Sequence, residues 1–531
     1  MKKYLKLYIM ALLPFFAALT ACHKDLDLQP LNANTSEKQY STLEGYKQVL
    51  AKVYGSYSLV SSAGVGVSDV NIPGISDAGT TDFIRSWWNL QELTTDEAIC
   101  AWNDPLVLAW HNLNWTSGNV FINAAYARSL FQITVANELI RESSDEKIAA
   151  RGFKETDAAA IRQFRAEARF LRAFQYWVLM DLFGNPPFVT EADPIGKYIP
   201  KQIKRADLFN YVEAELLAIQ NELAAPRQNE YARADRGAAW ALLARIYLNA
   251  KVYTGTEKFS DAITYSKKVI DAGYTLKTDF KTLFMSDNHQ NNPEIILPIA
   301  YDAINSQNYG GTTFLVCSAH GTNPQDNQEY GIPSGGWLGN RSTKSLPLVF
   351  GDYSGNTDKR ALFGPGNLEI NDVVVFNDGL GVYKFNNTTS GGTTPPSPNG
   401  VLCSIDFPLF RLAEMHLVYA ESVLRGGTGG SPQQALDYFN DLRERAYGNT
   451  NGNMSTITVT DILNERMREL YWEGFRRTDL IRYGMFTGSN YLWPWKGGSK
   501  NGTGVSDHLA LFPIPAAEII ANPNLEQNKD Y

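Results

Sequence analysis

The sequence is poor in cysteine, histidine and clustered basic charge, and each shortage excludes a class of function. It has 4 Cys and 6 His in 531 residues, without a Cys-x-x-Cys pair, so we expect neither a metal site built on these residues nor a disulfide framework. The 48 Lys and Arg against 56 Asp and Glu give a net charge of −8 without a basic block, which argues against a nucleic-acid partner. With 44% apolar residues, the chain is nevertheless globular.

Motifs of common enzymes are missing as well. No Gly-rich phosphate loop precedes a helix, and neither Gly-x-Ser-x-Gly nor His-Glu-x-x-His occurs. A glycoside hydrolase needs two carboxylates about 5–10 Å apart, and no pattern singles out such a pair. The acids of Thr94-Thr95-Asp96-Glu97 fit a capping box that begins a short helix, which we favour over a catalytic role.

Long apolar runs are confined to the N-terminus. A basic start precedes the apolar run Leu7–Leu19, and Leu19-Thr20-Ala21-Cys22 has the form of a bacterial lipobox. We therefore predict a lipoprotein signal peptide over 1–21, lipidation at Cys22 and a flexible tether over 22–39, so that acyl chains hold the protein to a bilayer. A plain signal peptide with a chance Cys is the alternative.

Three cysteines remain beyond the lipobox, namely Cys100, Cys317 and Cys403. Their number is odd and their spacings are long, so the sequence identifies no pairing. We expect three buried free thiols, or one pair and a spare.

The stretch Ile161–Pro187 predicts a helix that is buried on most sides. Its apolar residues recur at steps of three and four on more than one face, Gly184 stands where a C-cap is needed, and Pro186 prevents continuation. Helical spacing also recurs in Ser41–Gly55, Val120–Glu142, Arg205–Leu223, Ala234–Val252, Phe259–Ala272, Phe410–Leu424, Pro432–Tyr447 and Thr460–Tyr483. The predicted fold is mainly α, a superhelix of tetratricopeptide-like helix pairs.

Two segments interrupt this helical pattern, Val60–Trp115 and Thr275–Pro408, and we expect them to be loop-rich insertions that carry the function. In the second, Ile295–Ile299 and Val373–Phe376 are typical of strands. The first contains five Trp, namely Trp87, Trp88, Trp102, Trp110 and Trp115, and the second has Gly-flanked Trp337. A flat ring can cover the apolar face of a pyranose while Arg and Asn bond its hydroxyls, so this set favours sugar binding, although each single Trp is more typical of a core.

The loop Asp287–Asn292 is rich in oxygen ligands and could hold Ca²⁺. A solvated turn is the favoured interpretation. The sequence therefore predicts no cofactor, with Ca²⁺ as the one candidate.

Three motifs resemble those of the SusD-like (RagB/SusD) outer-membrane lipoproteins. They are Arg165-Ala-Glu-Ala-Arg-Phe-Leu-Arg-Ala173 with Leu182–Pro187, then Glu465–Gly484, and Pro513-Ile-Pro515 with Asn522–Tyr531. The resemblance implies one SusD-like glycan-binding domain over 40–531, with ligand loops about 60–115 and 275–408. It also implies that the protein is not an enzyme, faces the cell exterior at the outer membrane, and caps a SusC-like TonB-dependent transporter.

Further stretches resemble the starch-binding founder of that family, namely Glu92–Glu97, Asn308–Cys317, Asp406–Glu414 and Tyr491–Gly498. The founder's glucan site then implies Arg85, Trp102, Tyr309 and Trp337 as ligand residues here. Pro105 replaces a hydrogen-bonding Asn of the founder, and Asn103 is the expected substitute, while Cys100 replaces a further Trp. The resemblance thus implies binding of α-glucan, starch or malto-oligosaccharide; another glycan, a glycoside hydrolase or a pure scaffold are the alternatives.

Overall fold

The computed structural model describes residues 35–60, 65–72, 74–75, 78–196 and 198–531. The predicted signal peptide, Cys22 and residues 22–34 of the tether lie outside this range, so the domain boundaries stay a prediction. The chain divides into two units, 1–48 and 49–531. In the first, the end of the predicted tether is a helical turn, α1 (Ser36–Gln39), whose Lys38 N–H donates to the side chain of Thr35.

The structure confirms the mainly α prediction, since helices account for 47% of the residues and strands for 6%. The helices after α1 are α2 (Leu43–Gly55), α3 (Phe83–Glu92), α4 (Pro105–Asn112), α5 (Val120–Glu142), α6 (Asp145–Ala150), α7 (Glu155–Phe183), α8 (Arg205–Ile219), α9 (Arg236–Leu248), α10 (Ala250–Thr254), α11 (Phe259–Ile270), α12 (Gly311–Cys317), α13 (Pro324–Glu329), α14 (Ser345–Val349), α15 (Leu412–Leu424), α16 (Pro432–Tyr447), α17 (Val459–Leu470), α18 (Arg476–Arg482) and α19 (Ala516–Ala521). None of the helices in the described part is both long and apolar enough to cross a bilayer.

The helix predicted over Ile161–Pro187 is α7, and it is buried over most of its length. It begins earlier than predicted, at Glu155, and ends before Gly184, whose φ of 73° suits a residue without a Cβ. The buried guanidinium of Arg172 on α7 donates to Asn137 of α5 at 2.7 Å and to Glu215 of α8 at 2.9 Å. Since α5 and α8 both pack on α7, the predicted central position is confirmed.

Neighbouring helices stack along the chain in pairs. The helix α8 packs on α7 and α9, α9 packs on α11, and α11 packs on α15. In turn α15 packs on both α16 and α17. This succession is the arrangement that the tetratricopeptide-like prediction describes.

The single helix predicted over Thr460–Tyr483 is two helices, α17 and α18. Trp472 between them has φ 63°, which a continuous helix does not allow. The break leaves carbonyl groups without helical hydrogen-bond partners, and two buried cations donate hydrogen bonds to them. Arg411 donates to the carbonyl of Glu469 at 2.7 Å, and Lys384 donates to that of Tyr471 at 2.6 Å.

The two predicted insertions are less irregular than expected. The first holds α3 and α4, which begin at the N-caps Asp82 and Asp104, with Pro105 at the first turn of α4. The second holds α12–α14. Four short strands pair as two antiparallel ribbons, β1 (Ala98–Cys100) with β3 (Asn340–Ser342), and β2 (Ile295–Ile299) with β4 (Phe407–Arg411).

Strand structure is confirmed at Ile295–Ile299 but wrong at Val373–Phe376, which is a turn. The buried guanidinium of Arg341 donates to the carbonyls of Val373, at 2.7 Å, Val375 and Asp378. These backbone groups are therefore satisfied by a side chain instead of by a neighbouring strand.

Candidate functional site

The pairing of β1 with β3 brings two distant Trp residues together. Cys100 lies opposite Asn340, so Trp102, two residues beyond β1, meets the segment that precedes β3. The indole Nε1 of Trp102 donates to the carbonyl of Leu338 at 2.9 Å. A Cβ at Gly339 would lie 2.4 Å from that nitrogen, so only glycine allows this approach. Trp337 is thereby placed beside Trp102.

Contacts at the start of α12 bring Tyr309 and Arg85 together. Asp82, the N-cap of α3, accepts from Arg85 N–H at 3.0 Å and from Gly311 N–H at 2.7 Å, which ties α3 to α12. The Arg85 guanidinium lies 4.8 Å from the ring of Phe314 and donates to the carbonyl of Tyr309 at 3.5 Å. Arg85 and Tyr309 therefore lie next to each other.

Arg85, Trp102, Tyr309 and Trp337 line one open cavity of about 730 Å³, which we call the aromatic cavity. The rings of Tyr309 and Trp337 have centroids 5.7 Å apart and planes at 85°, so they form two walls that meet at a right angle. All four side chains are half-buried, as a surface that offers ring faces to a ligand requires. Asn103 is exposed and does not line the cavity, since Asp104 turns the chain into α4 directly after it.

The cavity also contains residues that the sequence analysis missed, namely Gly66, Ser334, Asn399 and Val401. The Nδ2 group of Asn399 donates to the Tyr309 hydroxyl at 3.2 Å. Its Oδ1 accepts from the backbone N–H groups of Val401 and Leu402 at 3.1 and 3.2 Å. Asn399 thus connects its own loop to the Tyr309 ring, and no local pattern in the loop Ser390–Asn399 signals this role.

The Trp337 segment is held by the end of α12. The N–H groups of Trp337 and Leu338 both donate to the carbonyl of Cys317, at 2.6 and 3.1 Å, and Leu338 N–H also donates to the carbonyl of His320 at 2.8 Å. Leu338 has φ 54°, a conformation that costs a non-glycine residue free energy. Trp337 is therefore held by hydrogen bonds of its backbone, next to a strained residue, instead of by packing of its side chain in the core.

Behind this segment, buried His320 contacts two tyrosine rings, which also contact each other. Its centroid is 3.9 Å from that of Tyr383 and 4.2 Å from that of Tyr330. Burial lowers the pKa of His320 to about 3, because a charged imidazole would lose its hydration there. The ring is therefore neutral at physiological pH.

We expect His320→Phe to weaken the loss of stability in acid. Between pH 6.5 and 3 the unfolded chain binds a proton that folded His320 excludes. The free energy of unfolding therefore decreases as the pH decreases. From pH 7 to 5 this contribution amounts to about 2 kcal/mol, and Phe, which keeps a flat ring, should abolish it. Urea unfolding at both pH values measures the difference; parallel pH profiles of the two proteins would reject this account.

Four of the five clustered tryptophans are not ligand candidates. Trp87, Trp88, Trp110 and Trp115 are at most 4% exposed and pack on aromatic neighbours. The interpretation of the whole set as a sugar surface is therefore wrong, and Trp102 alone of the five lines the aromatic cavity. Their high density serves the core around α3 and α4.

The capping-box prediction for Thr94–Glu97 is wrong, because these residues follow α3 and precede β1. Asp96 forms a bidentate pair with Arg476, both contacts at 2.7 Å. Glu92 accepts from Gly474 N–H at 2.6 Å, and burial raises the pKa of Glu97 to about 7. All three acids are at most 2% exposed, so they join α3 to the connection between α17 and α18 and are inaccessible to a substrate.

Cys100, Cys317 and Cys403 are buried free thiols, the first of the two predicted alternatives. The Sγ atoms of Cys317 and Cys403 both lie 3.5 Å from the carbonyl oxygen of Val401. Cys100 is the last residue of β1.

In the loop Asp287–Asn292, most polar groups bond within the protein. Asp287 accepts from Ser390 Oγ at 2.6 Å, and the Nδ2 of Asn288 donates to the carbonyls of Leu283 and Asp406. Among the described residues, no group of three or more His, Cys, Asp or Glu could hold a metal ion. The absence of a cofactor stays a prediction, with Ca²⁺ held by carbonyl and amide oxygens as the one candidate.

Comparison with known proteins gives two family matches. Residues 356–531 match the model of the SusD family, and residues 83–248 match a model described as starch-binding associating with outer membrane. The chain is 33% identical over 576 aligned positions to the starch-binding protein SusD of Bacteroides thetaiotaomicron, covering 100% of this chain and 99% of SusD.

Solved structures share the fold. Surface glycan-binding protein A from Bacteroides fluxus superposes with a TM-score of 0.69 at 21% identity, over 92% of this chain and 100% of that one. Surface glycan-binding protein A from Bacteroides thetaiotaomicron, solved in complex with laminarihexaose, gives 0.69 at 18% identity, over 91% and 99%. These similarities extend over nearly the whole described chain.

Proposed function

The chain belongs to the SusD family, and from that premise we propose that it binds starch or malto-oligosaccharide at the cell surface without cleaving it. It would then pass the glycan to a SusC-like TonB-dependent transporter of the outer membrane. The relatives reported above are named for starch or glycan binding, which supports a binding role over an enzymatic one.

One observation carries the proposal: three rings from distant parts of the chain line one cavity together with a guanidinium. Trp102, Tyr309 and Trp337 supply apolar faces for pyranose C–H groups, and Arg85 supplies hydrogen-bond donors for hydroxyls. The right angle between Tyr309 and Trp337 favours a bent chain, as in an α-1,4-glucan, over a flat one. Because the cavity is open, we expect weak binding near millimolar, or roughly −4 kcal/mol.

The proposal is tested by electrophoresis through gels that contain amylopectin and by calorimetry with maltoheptaose. Retarded migration and measurable heat are expected, and an assay of reducing ends after incubation with starch should detect no hydrolysis. Release of reducing ends would favour a glycoside hydrolase, and absence of both retardation and heat would favour a pure scaffold.

A different glycan is the second candidate, because a structural neighbour was solved in complex with laminarihexaose. Calorimetry with maltohexaose and laminarihexaose at equal concentrations distinguishes the two. Preference for laminarihexaose would retain the glycan-binding role and reject the starch assignment.

We expect Asn399→Ala to weaken maltoheptaose binding about fivefold, the loss that one hydrogen bond of about 1 kcal/mol implies. The reason is that the Tyr309 hydroxyl loses the amide that orients its ring. If Asn399 acts through that hydroxyl, Tyr309→Phe should add little to Asn399→Ala in calorimetry. Fully additive losses in the double variant would show that the two residues act independently.

We propose a lipid anchor at Cys22 on the lipobox, in agreement with the family model that describes association with the outer membrane. Only Cys22 carries the acyl chains in this account. Cys22→Ser should therefore move the protein from the membrane pellet to the soluble fraction of the native cell, as seen by immunoblotting. A variant that still pellets completely would contradict the lipid anchor.

A further inference from the structure

We propose that a second hollow beside the aromatic cavity binds additional sugar residues of the same glycan chain. It has a volume of about 640 Å³, and we call it the amide groove because Asn71, Asn305 and Gln307 line it. Lys52, Phe131 and Ile304 are also in its lining. This inference rests on the proposed glycan-binding function and extends it from one site to a longer binding surface.

One short segment of the chain contributes a residue to each hollow. Gln307 lines the amide groove and Tyr309 lines the aromatic cavity, and two extended residues span at most about 7 Å. Asn308 between them is buried and donates to the carbonyl of Ser58 at 2.6 Å, which fixes the partition. In this proposal, a single oligosaccharide that occupies the aromatic cavity continues past this segment into the groove.

The turn that carries Ile304 and Asn305 is held in place by a carboxylate. Asp302 Oδ1 accepts from the backbone N–H groups of Ile304 and Asn305, at 2.8 and 2.7 Å. Such an Asx-type turn presents the next side chains in one orientation. This wall of the groove is thus preformed.

A buried ion pair holds the part of the groove that Asn71 and Phe131 line. Asn71 N–H donates to Asp69 at 2.8 Å, and Asp69 pairs with the guanidinium of Arg128, both side chains being fully buried. The same guanidinium lies 5.5 Å from the ring of Phe131. Asp69 therefore fixes the backbone at Asn71, and Arg128 lies against the aromatic ring on this side of the groove.

The chemistry of the groove fits a neutral polyhydroxyl ligand. The amide N–H groups of Asn305 and Gln307 donate to Asp302 and to the carbonyl of Ile304, both at 3.0 Å. Within the described residues, neither amide oxygen receives a hydrogen bond, so both can accept from sugar hydroxyls. None of the described residues that line the groove is Asp or Glu, and Ile304, 49% exposed, offers apolar area for pyranose C–H groups.

Calorimetry with a series from maltotriose to maltoheptaose tests the groove. In Asn305→Ala/Gln307→Ala, maltoheptaose should bind about 30-fold more weakly, the loss that two hydrogen bonds of about 1 kcal/mol each imply, while maltotriose, held by the aromatic cavity, should change less than twofold. The matched control Gln433→Ala/Asn451→Ala removes two amides that line neither hollow, and its affinities should equal those of the unmodified chain.

The outcomes separate the groove from the function on which it rests. If the unmodified protein binds no member of the series, the proposed function fails. If it binds the long oligosaccharide and Asn305→Ala/Gln307→Ala binds it equally well, the groove does not contact glycan and only this inference fails. Equal weakening of maltotriose and maltoheptaose would also overturn it, since a subsite must act on the longer chain alone.

Discussion

Replacing Trp337 by Ala is expected to abolish retention on amylopectin and the heat of maltoheptaose binding. Trp337 is half-buried, lines the aromatic cavity, and is held by backbone hydrogen bonds instead of by core packing. Removal of a central aromatic side chain costs about 2 kcal/mol or more of binding free energy, roughly a 30-fold loss. Starting from affinity near millimolar, such a loss leaves no measurable binding.

The matched control for this experiment is Trp240→Ala. Trp240 is likewise half-buried, donates to Gln220 at 3.2 Å, and does not line the cavity. The control should migrate through amylopectin as the unmodified protein does. If Trp337→Ala is still retarded in the gel, the stacking role of Trp337 is wrong. Trp102→Ala is less decisive, because the Trp102 indole also bonds the Leu338 carbonyl and its loss would disturb the segment that holds Trp337.

The long helices could be predicted because their signals are local. Val120–Glu142 and Pro432–Tyr447 begin and end where the sequence predicts, after the N-caps Asn119 and Ser431. The same kind of signal, Asp104-Pro105, also marks α4, but the Trp-rich composition around it directed the interpretation towards a loop. Helix caps therefore identify α4 where amino-acid composition does not.

The aromatic cavity depends on long-range pairing, which the sequence does not encode locally. Trp102 and Trp337 meet through β1 and β3, and three-residue strands are too short to show a period. The resemblance to known relatives supplied these residues, and it could not supply Asn399, whose role depends on the position of the Tyr309 hydroxyl. Asn103 lies next to Trp102 in the chain but does not line the cavity, so its contact with glycan stays a prediction.

Replacing Glu469 by Ala is expected to lower the free energy of unfolding by about 3–5 kcal/mol, because it removes one negative charge from a buried cluster of ion pairs and leaves the cluster with an excess of positive charge. Glu469, on α17, bonds Arg360 at 2.9 Å and both Arg411 and Arg445 at 2.5 Å. Burial alone would raise the pKa of Glu469, but Arg445, Arg411 and Arg360 together hold it well below its usual range. The carboxylate thus stays charged at neutral pH and is one of several buried acids that neutralise these guanidinium groups.

Urea unfolding of Glu469→Ala against Glu257→Ala measures this contribution. Glu257 pairs with Lys251 at 2.6 Å on the surface, where 49% of its side chain is exposed, and its loss should cost at most about 1 kcal/mol. Since the pKa of Glu469 is lowered by folding, its stabilisation is present at neutral pH and disappears as pH falls through the folded-state value. The two variants should therefore differ strongly at pH 7 and converge in acid. Equal stability of the two variants at pH 7 would contradict this role of Glu469.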